Sequence, residues 1–159
     1  MVTAPIAALA WLSIRLAAGG DGPQVIMEEQ KLLAKDGASN DLFGYDVALS
    51  GASLLIGAWG KYEGGMQAAG SAYVFVRDEG GWQEQAVLVA SDPGFHSYLG
   101  FSVALSGDTA LLGAWGDDAG GIDRAGAAYV FERTGATWAE IVKLVPSGTK
   151  PCDLFGQSV

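Results

Sequence analysis

The chain has 159 residues, half of them apolar and only 17% charged, which fits one folded domain and argues against disorder. Its formal net charge of -9 argues against a nucleic-acid partner, because phosphates demand a basic face. One cysteine, Cys152, and one histidine, His96, exclude an internal disulfide, a cysteine-based zinc site and a multi-histidine metal site. Glycine is the outlier at 24 residues, about twice the usual share. With no three-residue period, it predicts many turns between short strands.

In chain order, residues 1–24 come first and stand apart from the rest. The run "APIAALAWLSIRLAAGG" is too short and too broken by Arg15 to span a membrane. Three readings stay open: a secretory signal ending in Ala17, Ala18 and Gly19, a strand and hairpin of a partial repeat, or a gene-model error. Four strand-like runs follow. They are Gly44 to Leu49, with Tyr45, Val47 and Leu49 on one face; Ser53 to Ala58; Ser71 to Val76; and Trp82 to Ala90. The third is apolar on both faces, as a strand sandwiched between sheets should be. The fourth carries Gln83, Glu84 and Gln85, which suits an outer, partly wet edge.

The pattern then repeats without a gap. Gly44, Gly100 and Gly156 keep a step of 56, as do Val47, Val103 and Val159; Leu32, Leu88 and Leu144; and Glu28, Glu84 and Glu140. Residues 28–83 and 84–139 share roughly 25 identities, and a fixed period of this length marks a propeller, solenoid or array. Four antiparallel strands per unit is one propeller blade. An α/β fold is excluded, because no helical pattern lies between the strands. The predicted fold class is all-β: about two complete four-stranded β-propeller blades with fragments, an incomplete propeller.

Antiparallel order places the loops. The first-to-second joints, "SGA" at 50–52 and "SGD" at 106–108, are tight turns in which Gly supplies φ > 0. They share one rim with the third-to-fourth joints. The long second-to-third joints, "WGKYEGGMQAAG" and "WGDDAGGIDRAG", share the opposite rim with the fourth-to-first joint "SDPGFHSYLG". Long variable loops on a rigid scaffold carry function, so that rim is the expected binding face.

Phe43–Gly44, Gly57–Ala58 and the following "GSAYVF" resemble FG-GAP repeats, the blades of integrin alpha-chain heads and of many bacterial extracellular proteins. The resemblance covers about residues 25–159. It implies a first blade with its preceding outer strand at 25–90, a second at 91–146 and the truncated start of a third at 147–159. It also implies a secreted or cell-surface role in adhesion or in binding a protein or glycan, without catalysis. Integrin-type blades often carry a D-x-D-x-D-G calcium loop between their first two strands. Here that joint is "SGAS" or "SGDT", which cannot supply six to eight oxygen ligands. Neither calcium nor any other cofactor is expected.

The candidate partner-binding residues lie in the long loops: Trp59, Lys61, Tyr62, Asp92, His96, Trp115, Asp117, Asp118, Asp123 and Arg124. Asp117, Asp118 and Asp123 invite a metal reading, but the matching positions are Lys61, Tyr62 and Gln67. A site built into the repeat should recur, so these are expected to be solvated loop carboxylates. Trp59 and Trp115 could form an aromatic platform; their recurrence favours packing between blades. His96 stands in no catalytic constellation, there is no G-x-S-x-G nucleophile motif, and the glycines lack phosphate-loop spacing. An open blade face would wet several hundred Å² of apolar surface. For 400 Å² that costs on the order of 10 kcal/mol, comparable to a whole domain's stability. Self-association, or further blades from a longer chain, is therefore expected. Two alternatives stand beside the binding module: a substrate-binding propeller within a larger secreted hydrolase, and a gene fragment without an independent role.

Overall fold

The computed structural model describes residues 30–159; the segment 1–24 lies outside the described residues. Eight strands run in order: β1 (Val47–Ser50), β2 (Ser53–Ala58), β3 (Ser71–Asp78), β4 (Gly81–Leu88), β5 (Ser102–Ser106), β6 (Thr109–Ala114), β7 (Ala127–Thr134) and β8 (Thr137–Leu144). They form two four-stranded antiparallel sheets, β1-β2-β3-β4 and β5-β6-β7-β8. Tyr73–Phe75 and Tyr129–Phe131 thus fall in separate sheets, as two blades require. One 3-10 turn, Ala119–Gly121, interrupts the β6–β7 connection.

The repeat governs fine detail as well. Register shifts occur between Val74 and Phe75 and between Val130 and Phe131, so each outer hairpin carries its bulge at the same phase. β1 begins later than the sequence reading placed it. Gly44 has φ 89, and its N–H reaches the Gly57 carbonyl at 3.0 Å. The chain arrives at the sheet through a kink and becomes regular only at Val47.

Each sheet buries two faces differently. In the first, Leu55, Ala72, Val74 and Leu88 pack toward the second sheet, against Ala110, Leu112, Tyr129 and Phe131. The opposite face, with Leu54, Ile56, Tyr73 and Phe75, packs on Leu32 and Phe43. This two-sided burial explains why β2 and β3 read as apolar throughout. Among the described residues, the second sheet has one such partner only. Leu111 and Val130 are half-buried, and Val142 and Leu144 are 43% and 39% exposed. Their repeat mates Leu55, Val74 and Leu88 are 0–2% exposed, except that Val142 matches half-buried Ala86.

The two blades are joined by backbone. The Leu99–Gly100 dipeptide opening the second unit inserts beside the first: Leu99 N–H donates to Ala69 O at 2.9 Å, and Leu99 forms a parallel bridge with Gly70. A Cβ on Gly57 would meet the Gly100 carbonyl, and one on Gly100 would meet that of Ser71. Gly113, Gly126, Phe155 and Gly156 repeat the interlock one unit later. The recurring glutamates tie the inter-blade connections to the outer strands. Glu84 accepts from Lys35 N–H at 3.0 Å and Glu140 from Ser91 N–H at 2.8 Å.

Candidate functional site

The connection from β4 to β5 holds the site. It runs between the two β2–β3-type connections and hydrogen-bonds to both. His96 and Tyr98 N–H groups donate to Gln67 and Ala68 carbonyls of the first blade at 2.9 and 3.0 Å, and Gly116 N–H of the second blade donates to Ser97 O at 3.2 Å. The long loops assigned to one rim by strand alternation are therefore in direct contact. His96 and Tyr98 both sit at positive φ, 58 and 59.

Their rings are nearly parallel, with centroids 5.6 Å apart. Tyr98 also stacks on Trp115 at 4.6 Å and takes the edge of Trp59 at 5.2 Å. Phe101 and Tyr45 extend the cluster: Phe101 contacts Trp115 at 5.8 Å and Tyr45 at 4.8 Å. Phe95 caps the other end, 3.9 Å from His96. Trp59 and Trp115 thus belong to one aromatic network bridging the blades. Among the described residues, their buried indole N–H groups have no hydrogen-bond partner.

A cleft of about 360 Å³ opens beside these rings. Phe95, His96, Tyr98 and Trp115 line it together with Asp118, Asp123 and Arg124. Asp118 Oδ1 accepts from Arg124 N–H at 2.8 Å, and Arg124 Nε lies 3.7 Å from Asp123 Oδ1. A neighbouring cleft of about 270 Å³ shares Phe95 and Asp118 and reaches Asp92, Asp117 and Lys143. Tyr62, at 64% exposed, stands apart in the first blade's own connection.

Asp117 departs from the expected solvated carboxylate: it is 4% exposed. Lys143 Nζ lies 2.9 Å from its Oδ1 and 2.8 Å from Asp92 Oδ2. Tyr129 Oη lies 2.8 Å from Asp92 Oδ1 and 2.9 Å from Asp117 Oδ2, so two carboxylates share its proton. The first unit holds a simpler version. Lys61, also buried, pairs with Asp36 at 2.8 Å, and Tyr73 donates to the same carboxylate at 2.7 Å. Lys61 and Asp117 occupy the same phase, as do Val87 and Lys143. The cation has moved from the connection to the outer strand, and a carboxylate has taken its place.

The electrostatics make these networks clamps. Burial opposes the charge of Asp36, but hydrogen bonds from Lys61 and Tyr73 outweigh it and hold the carboxyl below its ordinary range. Burial likewise opposes Asp92, and Lys143 and Tyr129 lower it. Burial alone would depress Lys61 and Lys143; their carboxylates raise both above the usual lysine value. Burial, joined by Asp36 and partly offset by Lys61, pushes the Tyr73 hydroxyl up to about 12. Burial and then the Asp117 charge raise Tyr129 as well. A general acid or base works best with its pKa near the operating pH. Every shift here moves the other way and locks the resting protonation state.

Of the loop residues named from the sequence, His96, Trp115, Asp118, Asp123 and Arg124 line the cleft; Phe95 and Tyr98, which line it too, are not among those named. The available signal was departure from the repeat, since Phe95 and Tyr98 replace Ser39 and Leu42.

Two interlocked four-stranded blades with paired connections on one rim define a β-propeller repeat protein. The model of the FG-GAP repeat matches residues 26–75 and 82–131, and the chain belongs to the FG-GAP repeat family. No curated protein matches it.

Proposed function

We propose that this chain is a non-enzymatic ligand-binding module, secreted or displayed at a cell surface, that engages a protein or glycan through the rim carrying the β2–β3, β4–β5 and β6–β7 connections. One observation carries the reading. The β4–β5 connection is gripped between its two neighbours, and the result is a cleft with an aromatic wall and a charged wall. Concave, pre-formed clefts with apolar walls and a few polar groups are where ligands bind. The opposite rim offers short turns such as Ser50–Ser53 and Ser106–Thr109. The directions of the shifts at Asp92, Tyr129 and Lys143 support binding over acid-base catalysis. No helix among the described residues is long and apolar enough to cross a membrane.

The test is binding of the labelled chain to immobilised extracellular glycoproteins, with and without rim substitutions. Asp118→Ala with Arg124→Ala is expected to weaken binding. Glu79→Ala, in the β3–β4 turn of the other rim, is expected to leave it unchanged. Equal loss from both, or no binding to any surface, overturns the proposal.

A further inference from the structure

We infer that the cleft between the Tyr98–Trp115 wall and the Asp118–Asp123–Arg124 wall is a subsite for one neutral sugar ring, such as the terminal residue of a glycan. The inference rests on the rim being the binding face, and it adds the ligand's chemistry.

The first argument comes from the repeat itself. A residue that recurs at each unit serves the scaffold that every unit shares. In this cleft Trp115 and Gly116 recur, as Trp59 and Gly60. The others do not. Phe95 stands where the neighbouring units have Ser39 and Pro151, His96 where they have Asn40 and Cys152, and Tyr98 where they have Leu42 and Leu154. The backbone is nevertheless the same in all three. φ is 74, 58 and 65 at Asn40, His96 and Cys152, and 58, 59 and 55 at Leu42, Tyr98 and Leu154. On the facing wall Arg124 matches Ala68, with φ 47 and 49, while Asp118 and Asp123 match Tyr62 and Gln67. The fold accepts unrelated residues at these positions. Both walls of this cleft therefore carry side chains that blade packing does not demand.

The second argument is exposure. Phe95 is 60% exposed, so the aromatic wall keeps apolar surface in water that a guest in the cleft would cover.

The third argument is chemical. A sugar ring offers C–H patches on its faces and hydroxyls around its edge. Aromatic rings cover the patches with large apolar area. Carboxylate oxygens accept from the hydroxyls, and a guanidinium donates to them. The charges fit an uncharged guest. Arg124 lies close enough to Asp123 to offset its charge, which leaves one carboxylate, Asp118, whose oxygen already takes the Arg124 N–H. A phosphate or sulfate would meet Asp118 and Asp123 on a chain of net charge -9. A lysine or arginine side chain would meet Arg124. The volume of about 360 Å³ lies at the lower end of small-molecule clefts, about 300–1,000 Å³, the scale of a sugar and not of an extended peptide.

The experiment titrates the full chain with free neutral hexoses, 6-deoxyhexoses and N-acetylhexosamines, followed by NMR shifts at Phe95, His96, Tyr98 and Trp115. Two variants run in parallel. Phe95→Ser with His96→Asn and Tyr98→Leu copies the first unit and removes the aromatic wall. Asp118→Asn with Arg124→Ala alters the facing wall without touching the rings. The expected result is a sugar that shifts the cleft resonances and binds roughly tenfold or more weakly to each variant, while the Asp118→Asn, Arg124→Ala variant, which leaves the rings in place, melts as the parent does. Sugar binding unchanged in both variants, or shifts elsewhere on the molecule, overturns the site. Binding of oligolysine in the cleft with no response to any sugar makes it a cation site and overturns the inference. Silence toward every sugar, with retained binding to an enzymatically deglycosylated protein surface, overturns the sugar and leaves the rim standing. Silence toward sugars and surfaces alike removes both.

Discussion

Gly100 and Gly107 both sit at positive φ, 82 and 57, yet they answer to different constraints. A Cβ at Gly107 meets nothing, whereas one at Gly100 runs into the Ser71 carbonyl. Gly107→Ala is expected to cost about 1 kcal/mol, the left-handed penalty alone. Gly100→Ala adds a backbone collision at the inter-blade joint and should cost at least about 3 kcal/mol. Denaturant melts of the two variants give the comparison; equal costs would show that the interlock bears no load. The same scale holds the residue hardest to read from the sequence. The spacing of the glycines was legible because close approach leaves a fixed period. Asp117 was not, because its cation lies 26 positions away on β8 and the local string "WGDDAGG" resembles any acidic turn. Lys143→Met leaves Asp117 buried beside Asp92 without a counter-charge. It should cost about 2 kcal/mol, below the usual range for a buried pair because Lys143 is partly solvated. Adding Asp117→Lys restores the arrangement of the first unit and should recover most of that loss in the same melt.

At the level of the elements, the clamps fasten each inter-blade connection to the sheet that follows. Asp36 reaches Lys61 and, on β3, Tyr73; Asp92 reaches β7 and β8 through Tyr129 and Lys143. Their titration predicts the pH profile. Asp36 and Asp92 have lowered values in the folded chain, so the unfolded chain takes up protons first as pH falls. Their contribution is complete above the unfolded carboxylate value of about 3.9 and is lost as pH drops through the lower folded values. At the other end, Tyr73 is pushed up to about 12 and Lys61 is raised. The unfolded chain loses those protons first, so stability falls as pH rises above about 10. Thermal melts from pH 2 to 11 should therefore show a plateau with two shoulders, and Asp92→Asn should flatten the acid one. A profile unchanged by that substitution would remove the clamp from the account. Strand identity was readable because β2 and β3 are apolar on both faces. The start of β1 was not, because the kink at Gly44 is set by contact with Gly57 of the same blade, which the local sequence does not spell.

For the molecule as a whole, the difference between the two sheets matters most. The first has neighbours on both faces; the second presents Leu111, Val130, Val142 and Leu144 with a face still accessible. In repeat architectures stability is approximately a sum of unit terms and nearest-neighbour interface terms. Fusing a further copy of residues 104–159 after Val159 is expected to raise the melting temperature, because a new sheet would cover that face. Val142→Lys in the extended chain should cancel part of the gain. An extended chain that melts where the original does would show that the face contributes nothing when covered. The blade count and rim assignment followed from period and strand alternation. The cleft among that rim's connections did not, because it depends on how the β4–β5 connection is gripped from both sides.

The relocated lysine has a consequence for heredity. Tandem copies invite exchange between matching segments. A crossover falling between the codons for Asp117 and Lys143, aligned to those for Lys61 and Val87, would give one hybrid with two cations competing for a lone aspartate. Its reciprocal would set two carboxylates, one of them buried, around a phenol with no cation among them. The two units are therefore not interchangeable piece by piece: an exchange inside one would leave its clamp unbalanced before any ligand was met.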